Sequence, residues 1–352
     1  MSKIVFADLE QAVADGLITT AQRDGILALS TSRSSSLLDE SEPLEIFHGF
    51  AEIFVTIGLI ILLAGVGAGL AELTNETIAM FGITISALGL GHYYILRRHM
   101  LLPAIVLTFV VAAAFTMWAA IVADSLFDAN YAVSLAVSGA LTFGAMAVYH
   151  RYYKVAFAIF AMGLAGAGVV FGLTLLALGI ELDGDVGRWL FGNRLTADLR
   201  TIMTVAGLVF GLLALAAALA FDVKDPNRTG RASKCGFWLH LLAGPALINA
   251  VALQLDAIDG GVGYALTFIL LLVAALLALV IDRRSFLTAG ILYLAALIGW
   301  ATTGLGDYEF VVEILVLGLI ITALGTWWHR LRAGLFRLLP DGAWQAMLPP
   351  IR

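Results

Sequence analysis

One cysteine, Cys235, serves the whole chain of 352 residues. That excludes an intramolecular disulfide and a cysteine-built metal cluster. Charge is scarce as well: 13% of residues are charged and 61% hydrophobic, against roughly 25% charged in an ordinary soluble protein. Such a chain cannot cover a water-facing surface. No GxxxxGK[ST], G-x-S-x-G or HExxH pattern occurs, which removes the signatures of phosphate-binding loops, hydrolase elbows and zinc proteases. The start lacks the basic-then-apolar pattern of a cleavable signal. The first apolar run is therefore expected to act as an uncleaved insertion signal.

Long apolar runs fill the rest. Each of about 20 residues reaches across ~30 Å of hydrocarbon at ~1.5 Å per residue. Ten candidate spans are read at about 49–71, 77–95, 101–121, 130–149, 155–180, 201–221, 236–255, 262–281, 285–303 and 310–328. The fold class expected is all-α, a polytopic helical membrane protein.

The connections alternate in charge. On one side lie Arg97, Arg98, Arg151, Lys154, Lys224, Arg228, Arg231, Lys234, Arg283 and Arg284. The tails add Lys3, Arg23, Arg33, Arg330, Arg332, Arg337 and Arg352, leaving the other side only Arg188, Arg194 and Arg200. Loops on that other side carry Glu72, Glu76, Asp124, Asp128, Asp256, Asp259, Asp307 and Glu309. The positive-inside rule then puts both termini in the cytoplasm. One-sided basic loops report topology here, not nucleic-acid binding. Tyr93, Tyr94, Tyr149, Tyr152, Tyr153, Trp327 and Trp328 fall where interfacial aromatic belts are expected.

Residues 1–29 read as a pair of short helices. Phe6, Leu9, Val13 and Leu17 recur at helical spacing, Gly16 offers a stop, and Thr19 with Gln22 fits a capping box. So short a pair is expected to rest on the membrane domain, on lipid or on a cytoplasmic protein partner. A serine-rich linker follows within 30–48, then the membrane domain over 49–328. The tail 329–352 sets Leu331, Leu335, Leu338 and Leu339 on one face with Arg330, Arg332 and Arg337 around it. That pattern suits anionic lipid.

Depth weighs the polar residues, because an ionisable side chain inside a span is a functional candidate. His48 and Glu52 are expected to pair at the cytoplasmic surface. His240 reads as one turn from that same edge, and Glu313 as one turn from the opposite one. No ionisable residue falls near a predicted midplane, which counts against proton-driven transport. What lies deep is mild: Thr84, Ser86, Thr116, Ser138, Thr204, Asn249, Tyr293 and Thr322. In GFWLHLLAGPALINAV (236–251), Pro245 removes a helical N–H, and Asn249 follows on the same face. Pro245, Asn249 and Tyr293 are thus candidates to line a weakly polar cavity. Glu52 and Glu313 are candidate entrances on opposite faces. Glu181, Asp183 and Asp185 lack the twelve-residue calcium pattern. No metal, cofactor or catalytic set is assigned.

Small residues four apart at Gly65/Gly69, Gly168/Gly172 and Gly207/Gly211 are expected to permit close helix approach. ILRRHMLLPAIV (95–106) and IDRRSFLTAGIL (281–292) echo one another, each an Arg-Arg turn opening a helix.

LEQAVADGLITTAQRDGIL (9–27), WLHLLAGPALI (238–248) and DRRSFLTAGILYL (282–294) resemble a bacterial membrane family known as domain of unknown function 2157. The resemblance implies a multi-pass protein of the bacterial inner membrane and assigns no site. Gly306-Asp307-Tyr308 is similar to the start of a GDYxxLxxD motif, but Val311 and Ile314 stand where Leu and Asp are required. The expected activity is binding or passage of a neutral, amphipathic or lipid-like molecule. The alternative is a non-transporting scaffold that docks a cytoplasmic partner through residues 1–29.

Overall fold

The computed structural model describes residues 9, 12, 13, 15–26, 50–127, 130–180, 197–225, 228, 230–255, 257–258, 261–303, 306–340, 342 and 348–349. His48, the serine-rich linker and the acidic stretch 181–196 lie outside them. The chain divides into two compact units, Met1–Ile46 and Phe47–Arg352. In the first, the expected capping box is present: Thr19 N donates to Gln22 Oε1 at 2.8 Å, and Gln22 N to Thr19 Oγ1 at 3.2 Å. Gly16, at φ +70°, ends the preceding turn.

The second unit contains ten α-helices among the described residues, and no strand. They are α1 (Phe50–Leu73), α2 (Glu76–Gly91), α3 (Leu101–Phe127), α4 (Tyr131–Tyr153) and α5 (Phe157–Leu178). The second half holds α6 (Ala197–Lys224), α7 (Arg231–Leu255), α8 (Gly261–Ile281), α9 (Thr288–Thr302) and α10 (Glu309–Leu338). Nine helices of the described chain are long and apolar enough to cross a membrane. The remaining one, α9, has 15 residues and is preceded by a 3-10 turn over Arg284–Leu287. This composition and helix set fit a multi-pass membrane protein.

Local chemistry sets the helix ends. Asn75 and Asn130 cap α2 and α4 through their side-chain oxygens, satisfying N–H groups of the first turns. Glu52 does the same from a distance: its Oε2 accepts Leu102 N at the start of α3, at 3.2 Å. A π-helical turn, His92–Arg97, extends α2. Tyr153 Oη donates to the Leu88 carbonyl just before it, at 2.9 Å. That contact ties α4 to the end of α2, where the π-helical turn begins.

Small residues decide which helices meet. A Cβ on Gly139 would press against the Ala165 carbonyl, and one on Gly172 against the Ala132 carbonyl, so α4 and α5 touch backbone to backbone. Gly207 and Gly211 do likewise for α6 against Ala246, Leu247 and Ala250 of α7. Gly65 and Gly69 of α1, expected to act the same way, have nothing within 4 Å of where a Cβ would lie. Helix α7 is the hub, packing on α5, α6, α8, α9 and the 3-10 turn. In its apolar window 44% of residues are buried, against none in that of α10. Trp238 ties the halves together, set edge-on to Phe157 of α5 with ring centres 4.8 Å apart.

Two expectations need correction. Tyr149 and Trp328 are not belt residues: they are 4% and 2% exposed. The Tyr149 hydroxyl sits 3.1 Å from that of Thr108, and the Trp328 indole donates to Asp282 Oδ1 at 2.7 Å. Nor does Arg332 face lipid with Arg330 and Arg337: it is 3% exposed, on an α10 that runs unbroken to Leu338. Its inward face carries Trp328, Arg332 and Phe336, while Leu331 and Leu338 are exposed. Arg332 faces inward because the α8 end offers a carbonyl: its Nε donates to Leu279 O at 3.2 Å, and an Nη to Pro349 O at 2.7 Å.

Candidate functional site

Two polar groupings meet on α7, one on each side of Pro245. The deeper one is uncharged. Asn249 projects from α7 and Tyr293 from α9, and the Tyr293 hydroxyl donates to Asn249 Oδ1 at 2.5 Å. Asn249 is half-buried, and its Nδ2 has no hydrogen-bond partner among the described residues. Around it the packing is apolar and close, with Gly290 of α9 set against Leu271 and Ile248. Further out along α7 the polar contacts remain neutral. Thr204 of α6 donates to the Ala250 carbonyl at 3.2 Å, and Gln254 donates to Thr204 Oγ1 at 2.8 Å. Of the three cavity candidates, Asn249 and Tyr293 thus meet directly. Pro245 sits one turn along α7 and withholds the N–H that the Leu241 carbonyl would otherwise receive.

The other grouping is charged and buried. Asp222, in the last turn of α6, accepts from His240 Nε2 at 2.8 Å and from Arg283 Nε at 3.2 Å. A second guanidinium nitrogen of Arg283 bonds the other carboxylate oxygen and reaches Ser233 O at 3.0 Å and Ser233 Oγ at 3.2 Å. This is a two-pronged Arg–carboxylate pair, the geometry that best repays desolvation of both charges. His240 is 0% exposed, Arg283 2% and Asp222 7%. Two neighbouring atoms are unsatisfied: His240 Nδ1 and the buried Ser285 Oγ have no hydrogen-bond partner among the described residues.

Backbone shape makes the cluster possible. Gly236 faces Asp222, where a Cβ would collide with the carboxylate. Gly244 rests on the Phe286 carbonyl, so α7 and the 3-10 turn are in backbone contact. Asp282 turns the chain at φ +53° after α8. Arg228 donates to the carbonyls of Ile281 and Asp282 there, occupying acceptors that a helix C-terminus leaves open. Arg284 stacks over the Trp328 ring at 5.4 Å.

The sequence reading set the start of this helix too late. Helix α7 starts at Arg231, not near residue 236, so His240 lies nine residues inside it and is fully enclosed. It missed Asp222 and Ser233 as partners and counted Arg228 and Arg283 only as topology charges. One signal was legible: Asp222 lies inside an apolar run, in LAFDVK, before the basic loop begins.

The remaining candidates fall elsewhere. Glu52, 6% exposed, is the remote cap of α3. Glu313 is half-buried on α10, and its carboxylate lies against Gly299 of α9. These two stand far apart in the helix order, on α1 and α10. No group of three or more His, Cys, Asp or Glu side chains that could hold a metal ion occurs among the described residues. A scan against protein-family models, a search of curated proteins and a search of solved structures each returned no match.

Proposed function

We propose that the protein crosses a bacterial inner membrane ten times, with both termini in the cytoplasm. We further propose that it binds or passes a neutral, amphipathic or lipid-like molecule at Asn249 and Tyr293. The ten-crossing reading turns on α9. Its 15 residues and the four of the 3-10 turn together rise ~30 Å at ~1.5 and ~2.0 Å per residue, the thickness of the hydrocarbon layer. Tags at the two ends should both be digested in inverted vesicles and both be protected in intact spheroplasts. Digestion of one tag in each preparation would leave an odd number of crossings.

The binding reading is carried by the Asn249 amide. A half-buried –NH2 at membrane depth, with its oxygen already occupied by Tyr293, favours a partner with an acceptor oxygen. The neutral contacts at Thr204 and Gln254 favour an uncharged one. Native mass spectrometry of the full chain, extracted from its membrane in mild detergent, tests this. The wild type should retain a neutral amphiphile that Asn249→Leu loses while helicity and Tm stay unchanged. Equal retention by the variant would remove the site.

The separate compact unit Met1–Ile46 favours a second role, docking of a cytoplasmic protein by residues 1–29. Deleting 1–36 should abolish such docking and leave amphiphile retention intact. Arg330 and Arg337, exposed on α10 beside Trp327, support contact of the tail with anionic lipid.

A further inference from the structure

We propose that the Asp222–His240–Arg283 cluster is the inner gate of the Asn249–Tyr293 site, a latch that opens by movement of the inner half of α7 about Pro245. This rests on the reading of that site given above and assigns it a route of access from the cytoplasmic side.

The latch and the site share the same two supports. His240 and Asn249 are both on α7, with Pro245 between them. Arg283 and Tyr293 are both on the segment that runs from the Arg-Arg turn into α9. The missing N–H of Pro245 leaves α7 one backbone hydrogen bond short between the two groupings, which is where a helix bends most readily. Besides the latch bonds, in which Ser233 of α7 takes part, the inner half of α7 meets the turn at Gly244 against the Phe286 carbonyl and at His240 edge-on to the Phe286 ring, with ring centres 6.4 Å apart. Displacing the turn displaces the start of α9, and with it Tyr293.

The cluster is also incomplete as a permanent clamp. Asp222 and Arg283 are fully engaged, yet His240 Nδ1 and Ser285 Oγ stay buried without partners. Buried polar atoms left unpaired favour any arrangement that gives them water or a partner. A latch needs strong bonds that close it together with unmet ones that make opening worthwhile, and both are present. The charged and titratable groups around it are Asp222 on α6, Arg228 in the connection to α7, His240 and Cys235 on α7, and Asp282 and Arg283 in the turn.

Accessibility of position 249 from the inner side tests the gate. Asn249→Cys is made in a Cys235→Ala background, so that it carries the only thiol. Inverted membrane vesicles are then treated with a membrane-impermeant trimethylammonium methanethiosulfonate. With the latch intact the reaction should be slow. With Asp222→Leu and Arg283→Met together, which leaves no unpaired charge, it should be about tenfold faster or more. Adding Pro245→Ala, which restores the helical hydrogen bond, should return it toward the intact rate. Unchanged reactivity in a folded double variant would overturn the gate, as would faster reaction that Pro245→Ala leaves unaltered. Should the double variant not fold, Arg283→Lys keeps the charge but loses the fork. It should raise the rate by about threefold, and no change there would equally overturn the proposal. The probe reports entry whether or not anything binds, so failure of the gate and failure of the binding site are read separately.

Discussion

The two Arg-Arg turns, one in each half of the molecule, begin from nearly the same sequence and end in opposite environments. After α2, Arg97 and Arg98 are exposed, as charges sorted to one membrane face should be. After α8, Arg284 is exposed over Trp328, while Arg283 is 2% exposed and locked onto Asp222. The turns are built differently, with the left-handed residue after the first Arg pair, at His99, and before the second, at Asp282. What faces them differs too: a carboxylate near the end of α6 and a serine in the first turn of α7 meet the second. Among the described residues no carboxylate forks onto an arginine of the first turn, and the nearby carboxylate of Glu52 accepts from the backbone of α3. A basic turn is therefore a solvent-exposed pair of charges in one half and a structural hub in the other.

The sharpest way to break this contrast is to remove the buried charges. Arg283→Ala or Asp222→Ala leaves its partner uncompensated in the interior and should cost about 3–5 kcal/mol. Arg97→Ala and Arg98→Ala should each stay within about 0.5 kcal/mol. Thermal unfolding of all four variants in one detergent decides it, and equal Tm losses in the two turns would erase the distinction.

Next in size is the backbone contact beneath the second turn. Gly244→Ala drives a methyl group into the Phe286 carbonyl and should lower stability by about 1–3 kcal/mol. Gly65→Ala on α1, with open space around it, should change Tm little. A neutral Gly244→Ala would mean that α7 does not rest on the turn.

Smaller again is the cap in the first half. Glu52→Ala frees the Leu102 amide and should cost about 1 kcal/mol. Faster hydrogen exchange should be confined to the start of α3 and absent near residue 283. The smallest expected effect is Tyr293→Phe, which removes one hydrogen bond between helices inside the membrane domain. Such bonds average about 0.6 kcal/mol, so Tm should barely move while amphiphile retention falls.

Most of the helical layout was legible because hydrocarbon imposes a length on every apolar run. Each of the ten expected ranges overlaps one of α1–α10, nine of which are long and apolar enough to cross a membrane, and the Thr19–Gln22 cap was readable from residue spacing alone. Depth at the helix ends was not. An apolar run stops being apolar before its helix stops, so RASKC was read as loop although it forms the first turns of α7. That shift hid how far inside its helix His240 lies and how fully it is enclosed. The same limit hid the inward face of α10, where Arg332 follows the Leu279 carbonyl at the α8 end rather than the leucine pattern. The pairing of Asn249 with Tyr293 required knowing that α9 packs on α7, a fact of tertiary structure that neither segment encodes alone.

The direct test of the buried pairing is a double-mutant cycle on Asp222 and Arg283, read as unfolding free energy of the full chain in one detergent. If the carboxylate and guanidinium hold each other in the interior, Asp222→Ala and Arg283→Ala will each be strongly destabilising. The double variant will then lose no more than the worse single one, a coupling of about 2 kcal/mol or more. Losses that simply add would mean that the two side chains do not meet, and that the second turn is no more than another positively charged loop.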